Sequence, residues 1–123
     1  MGWSLAIHGG AGSILDSLTE SHRIAVEESL QRIVKSGIVM LGDGQAALHV
    51  AEELVVQLEE CECFNAGHGA VLSAAGKHEL EAAIMDGATG RAGAACGLRT
   101  VRNPVRLARQ ILERTMHVFV GGE

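Results

Sequence analysis

Few residues of this chain could perform chemistry, and the first set to consider consists of thiols and imidazoles. Cys61, Cys63, His68 and His78, with His8 as an addition, are ligand types that bind zinc. Structural zinc sites usually hold cysteine pairs about two to four residues apart, with a second ligand pair at similar spacing. Here a single residue separates the two cysteines and the histidines are unpaired, so the spacing favours cysteines that pack beneath a loop.

Nucleophilic cysteine and paired carboxylates are the next possibilities. Cys96 or Cys61 could act with a histidine, but Cys96 lies in a Gly/Ala-rich segment typical of an inert buried thiol. Glu79 and Glu81 share one strand face at period two and lead to Asp86, so they could form a like-charge pair with raised pKa. A solvent-facing side of a strand is the favoured interpretation.

A glycine turn at residues 8–12 follows a short apolar run at residues 4–7. Such a turn can bring backbone N–H groups close to a phosphate or carboxylate. It lacks P-loop spacing and a following Lys-Ser/Thr pair, so a tight turn needed for packing is the favoured interpretation.

Composition excludes several classes of protein. The 123 residues are 47% apolar, which allows a core, and carry a net charge of −5. Basic residues are scattered and aromatic residues are rare, so no nucleic-acid partner is expected. Three cysteines without a secretory signal indicate a reducing, cytoplasmic location. No apolar run reaches the roughly 20 residues that span a bilayer, so no membrane partner is expected. A solvated helix face is predicted for four arginines: Arg99, Arg102, Arg106 and Arg109.

Periodicity predicts a mixed α/β (α+β) fold in which helices cover a largely antiparallel sheet. The first helix begins at a Ser21 cap, ends near Gly42 and lies beside the second, while Asn103 and Pro104 begin the third. The predicted helices cover residues 21–41, 45–60 and 104 onward. The predicted strands cover residues 4–7, 70–73, 79–85, 93–101 and 117–120. Residues 61–69 are predicted to form a structured loop.

Several blocks, read in order, resemble the plant-type asparaginase/isoaspartyl peptidase family, especially its bacterial members. They are AIHGGAG at 6–12, LEEC at 58–61, FNAG at 64–67 with GAV at 69–71, HELEA at 78–82, IMDG at 84–87, AGA at 92–94 and NPV-x-LAR at 103–109. The resemblance covers nearly the whole chain, and the FNAG and IMDG blocks in this order are its most specific part.

The resemblance implies one part of a four-layer αββα N-terminal-nucleophile hydrolase sandwich. In that family a precursor cleaves itself into α and β subunits that form an (αβ)2 assembly. The threonine that begins the β subunit is the nucleophile, and the enzyme hydrolyses L-asparagine and β-aspartyl dipeptides. Residues 1–123 would be a single partial domain, the α-subunit portion, and would have the β portion as their partner.

Site residues follow from the resemblance only in part. Asn65 matches the family asparagine that lies near the nucleophile and shapes the site. The surrounding loop resembles a stabilising loop that binds structural sodium through backbone carbonyls, and no other cofactor is implied. By position the carbonyls belong to Leu58, Glu59, Cys61, Phe64, Ala66 and His68. Carbonyl oxygens suit a hard alkali cation, whereas thiolates would suit zinc.

No threonine of this chain matches the family nucleophile, which reads Gly-Thr-Val-Gly. Thr19, Thr89, Thr100 and Thr115 follow Leu, Ala, Arg and Arg. The expectation is therefore an α-subunit portion that lacks the nucleophile and is inactive by itself. The alternative is a non-catalytic binding or regulatory module that pairs with a full-length homologue.

Overall fold

The structure is a computed structural model that describes residues 2–10 and 19–122. Its helices are α1 (Glu20–Gly42), α2 (Ala47–Glu59) and α3 (Pro104–Arg114), and its strands are β1 (Leu80–Met85), β2 (Ala92–Leu98) and β3 (Phe119–Gly121). A short 3-10 turn covers Gly67–Gly69. The predicted glycine turn at residues 8–12 extends past Gly10 into residues that lie outside the described part.

Helix α1 begins one residue earlier than predicted, because the cap is Thr19 rather than Ser21. The Thr19 side chain accepts a hydrogen bond from the backbone N–H of His22 at 3.3 Å. Ser21 lies within the first turn, so its predicted capping role is wrong. An N-cap oxygen satisfies one of the backbone donors that a helix start leaves without an intrahelical partner.

Helices α1 and α2 pack against each other, as predicted. A side chain at Gly37 of α1 would collide with Leu54 of α2, so the absence of a Cβ lets the helices approach. Ile33, Val50, Leu54 and Phe64 form the buried cluster between them. The other side of α2 packs on α3 and the sheet, so α2 is the helix that joins the two halves of the described structure.

The sheet has the order β1-β2-β3, with an antiparallel and a parallel pair. Strands β1 and β2 pair from Met85 and Ala92 at the turn to Leu80 and Leu98. Strand β3 runs parallel to β2 because α3 carries the chain back across the sheet between them. The prediction of a largely antiparallel sheet is therefore right for one of the two pairs.

Two predicted strands are wrong. Residues 4–7 and 70–73 have no strand structure. The backbone N–H of Val71 donates to the Asn65 side chain, and that of Ser73 donates to the Lys77 carbonyl at 2.8 Å. Local contacts therefore satisfy the donors that a sheet ladder would have used, which a pattern of apolar residues does not reveal.

One face of the sheet is covered and the other is open. Ile84 and Ala95 pack beneath α3, and Gly93 lets the backbone of α3 approach the strand closely. On the opposite face Met85 and Phe119 are each 63% exposed. The structure confirms the mixed α/β fold, and its described part consists of helices against one face of a small sheet.

The predicted solvated face of arginines is wrong for Arg109. Its side chain is 18% exposed, and its guanidinium lies 3.4 Å from the Glu52 carboxylate on α2. Arg106 also bridges α3 to Glu52, at 3.5 Å. These arginines hold the two helices together. Among the described residues, no helix has the length and apolar character needed to cross a membrane.

Candidate functional site

The loop that follows α2 is fixed to the molecule by a buried aromatic ring. Phe64 is 5% exposed and belongs to the core between α1 and α2. Gly9 lies against this ring so closely that a Cβ at position 9 would collide with it. The segment of residues 2–10 and the loop of residues 61–69 therefore meet at Phe64, which places His8, Gly10 and Asn65 around one cavity.

The last residue of α2 fastens the same loop to α3. The Glu59 side chain is buried, and its Oε1 atom accepts a hydrogen bond from the backbone N–H of Val105 at 2.9 Å. This N–H belongs to the first turn of α3, where donors need a partner from outside the helix. Burial raises the pKa of Glu59, and the hydrogen bond from Val105 partly opposes that change.

The backbone of Glu59 also contacts the loop. Gly67 has φ +51° and lies directly on the Glu59 carbonyl, where a Cβ would meet the oxygen at 2.5 Å. Only glycine adopts this backbone conformation readily at such a close approach. Glu59 thus contacts the loop through its main chain and α3 through its side chain.

Glu60, the next residue, anchors the segment that leads into α3. Its carboxylate pairs with Arg102 at 2.6 Å and accepts a hydrogen bond from the Asn103 amide at 2.9 Å. The hydrogen bond from Arg102 lowers the pKa of Glu60 to about 2. Asn103 occupies the N-cap position that the sequence predicted, but its side chain does not cap the helix. Glu59 supplies that capping group instead.

Three backbone carbonyl oxygens converge beside Gly69. The oxygens of Cys61, Glu62 and Phe64 all lie within 3.0 Å of the point that a Cβ at position 69 would occupy. We call this group the carbonyl cradle. Uncharged oxygens are the ligand type that a hard cation prefers. The point that they share is one covalent bond from the Gly69 Cα atom, so these distances show how tightly the loop packs around Gly69.

Two of the six carbonyls named from the sequence, those of Cys61 and Phe64, belong to the cradle. Its third member, the Glu62 carbonyl, was not among the six. The Leu58 and Ala66 carbonyls accept hydrogen bonds from the N–H groups of Cys61 and Gly69. The Cys61 and Phe64 carbonyls likewise accept hydrogen bonds, from the N–H groups of Phe64 and Ala66. The Glu59 carbonyl faces Gly67. His68 lies in the 3-10 turn, and its imidazole is 3.1 Å from the Glu62 carboxylate.

Asn65 is exposed at the wall between two cavities. Its Oδ1 atom accepts a hydrogen bond from the N–H of Val71 at 2.9 Å, so the amide NH2 is the group it can offer as a donor. One cavity of about 200 Å³ is shared with His8 and Gly10. The other, of about 270 Å³, is shared with Glu59 and Glu81.

The remaining candidate sites do not assemble. In the described part of the chain, the one group of three metal-ligand side chains within 4.8 Å is His49, Glu52 and Glu53, so the zinc set named from the sequence is not brought together. Glu52 and Glu53 already pair with Arg106.

The carboxylates after the loop serve other contacts. Glu79 pairs with Arg99 at 3.0 Å. Asp86 accepts hydrogen bonds from the Thr89 hydroxyl and the Ala88 N–H, and these contacts lower its pKa. Asp86 therefore builds the turn between β1 and β2. Cys96 lies on β2 near Gly121.

Comparison with known proteins places this site in a family. The family described as asparaginase matches residues 1–123. An isoaspartyl peptidase of Salmonella typhimurium is 47% identical over 120 residues, which cover 97% of this chain and 38% of the relative. A plant-type L-asparaginase of Pyrococcus abyssi is 42% identical over 121 residues, with 98% of this chain and 38% of the relative covered.

The chain belongs to the asparaginase family, as the sequence blocks predicted. An isoaspartyl peptidase/L-asparaginase of Xenopus laevis is 40% identical over 116 residues, covering 94% of this chain and 36% of the relative. The chain thus spans less than two fifths of the length of these curated relatives.

Replacing Gly69 with alanine tests the carbonyl cradle. The new methyl group would lie against three carbonyl oxygens, so we expect Gly69→Ala to lower the free energy of unfolding by about 1–3 kcal/mol. Thermal or urea unfolding measures the change. Gly87→Ala is the matched control, since its methyl group meets nothing within 4 Å and should leave stability nearly unchanged. Equal effects of the two substitutions would contradict the convergence of the carbonyls.

The low pKa of Glu60 predicts a pH dependence of stability. Because the pKa is about 2 in the folded state against an ordinary 4.5, the ionised carboxylate stabilises the fold above pH 4.5. This contribution is lost as the pH falls towards 2. We expect the stability difference between wild type and Glu60→Gln to be largest above pH 4.5 and to vanish near pH 2. Urea unfolding across this range measures it, and a pH-independent difference would argue against the pairing.

Proposed function

We propose that this chain is the α portion of an enzyme that hydrolyses β-aspartyl peptides and L-asparagine. Its membership of the asparaginase family and its 47% identity to an isoaspartyl peptidase support the reaction class. The observation that carries the proposal is the loop of residues 61–69, which presents Asn65 beside two cavities and is fastened on both sides. In this proposal the chain supplies residues that surround and position the active site, and not the nucleophile.

The nucleophile comes from a separate β portion that begins with threonine. None of the four threonines in this chain follows a glycine, and three have local structural roles. Thr19 caps α1, the Thr89 hydroxyl donates to Asp86 at 2.7 Å, and the Thr115 hydroxyl donates to the Ile111 carbonyl at 2.9 Å. Self-cleavage of a precursor between the two portions would free the threonine, whose α-amino group would then serve as the base.

Asn65 helps to shape the site where the two portions meet. Its Oδ1 atom is bound to the backbone, which fixes the orientation of the amide and aims its NH2 group as a donor. A fixed amide donor can stabilise negative charge that develops on a substrate carbonyl. The β portion would cover the open face of the sheet at Met85 and Phe119, and would complete the four-layer sandwich and an (αβ)2 assembly.

A sodium ion bound at the loop would support this arrangement. The Cys61, Glu62 and Phe64 carbonyls of the cradle would hold the ion, together with further carbonyls of the loop among Leu58, Glu59, Ala66 and His68. The ion would supply a structural charge that fixes the backbone. Asn65 lies between Phe64 and Ala66, so a fixed backbone here fixes the position of its amide.

Activity measurements test the proposal. We expect the isolated chain to release no aspartate from β-aspartyl dipeptides, and the chain assembled with a β portion that begins with threonine to do so. In that assembly Asn65→Ala should lower kcat/KM by about 100-fold or more, the typical loss when a fixed transition-state donor is removed.

Asn103→Ala is the matched control, because the Asn103 amide binds Glu60 and lines neither cavity beside Asn65. We expect it to keep kcat/KM within a fewfold of wild type. Turnover by the isolated chain, or an Asn65→Ala assembly as active as wild type, would overturn the proposal.

A further inference from the structure

The two cysteines of the loop are brought together by a turn. The backbone N–H of Phe64 donates to the Cys61 carbonyl at 3.3 Å, which closes a four-residue turn over Cys61, Glu62, Cys63 and Phe64. Both cysteine side chains pack against the same buried cluster, which includes Ile33 and Phe64. They therefore lie on the same side of the turn, one residue apart in sequence.

A hydroxyl group on α1 lies beside the first of these thiols. The Cys61 thiol donates a hydrogen bond to the Ser29 Oγ atom at 3.6 Å. Both cysteines are only partly buried, so a small reagent has access to them. Cys96 is the third free thiol and lies on β2, away from this turn.

We propose that Cys61 and Cys63 form a redox pair, which a hydroperoxide converts reversibly into an intramolecular disulfide. One thiol attacks the peroxide, and an S–O bond forms as the O–O bond breaks. The cysteine becomes a sulfenic acid, and an alcohol or water leaves with the thiol proton. The second thiol then attacks the sulfenic sulfur, so the S–S bond forms and water leaves. The two thiols are oxidised, the peroxide is reduced, and a dithiol or glutathione reverses the step.

Oxidation of this pair would act on the carbonyl cradle. The disulfide would bridge the two residues on either side of Glu62, and the Cys61 and Glu62 carbonyls belong to the cradle. Reorienting this turn would change the arrangement of the cradle carbonyls around a cation. It would also change the backbone that positions the Asn65 amide. This consequence rests on the proposed sodium loop, whereas the formation of the disulfide does not.

A thiol–disulfide titration tests the pair. The chain is equilibrated with reduced and oxidised glutathione, both in native buffer and in urea at about 8 M, which unfolds most small domains. The free thiols are then counted by alkylation and mass spectrometry. We expect the native chain to fall from three free thiols to one, with a peptide that joins positions 61 and 63. We expect the equilibrium constant for the disulfide to be at least about tenfold larger in the native chain than in urea.

Three variants make the result specific. Cys96→Ser should keep the joined peptide and the native equilibrium constant. Cys61→Ser and Cys63→Ser should each abolish the joined peptide. Disulfides that involve Cys96 or link two chains, or an equilibrium constant equal in native buffer and urea, would overturn the proposal. Sodium-dependent melting of the reduced chain tests the cradle separately, so the failure of one idea is distinguishable from the failure of the other.

Discussion

The hydrogen bond from the Val105 N–H to the buried Glu59 carboxylate is the interaction on which the arrangement of this site depends. Glu59 ends α2 and Val105 lies in the first turn of α3, so one side chain joins two helices through residues that are 46 positions apart. Burying a carboxylate is unfavourable unless it is hydrogen-bonded, and burial does raise the pKa of Glu59. The bond offsets part of this cost and satisfies a helix donor that would otherwise have no partner.

The loop of residues 61–69 gains its position from this junction. Its far end returns to Glu59 at Gly67, and its middle is held by Phe64 in the core. Asn65 lies between these two attachments and lines both cavities. The position of its amide therefore depends on the two attachments of the loop.

Much of this could be predicted from the sequence, for reasons specific to each element. The apolar stripe of α2 and the Asn103-Pro104 pair identify two helices, since helical periodicity and proline at the first position are local signals. The role proposed for Asn65 rests on its place in the FNAG block. The Glu59 cap could not be predicted, because two residues 46 positions apart carry no local sign of their contact. The strand expected at residues 70–73 is wrong for a different reason, since the Asn65 side chain, six residues earlier, accepts the hydrogen bond from the N–H of Val71.

Hydrogen exchange at the Val105 amide is the most direct test of the central role of Glu59. Loss of a helix cap costs about 1–2 kcal/mol, so we expect Glu59→Ala to reduce the protection of this amide about 5- to 30-fold and to expose amides of the 61–69 loop. Glu59→Gln should keep most of the protection, because its carbonyl oxygen can still accept the bond. Glu53→Ala, which removes an ion pair to Arg106 on the same two helices, is the control and should leave the Val105 amide protected. Wild-type protection of Val105 in Glu59→Ala would contradict the account.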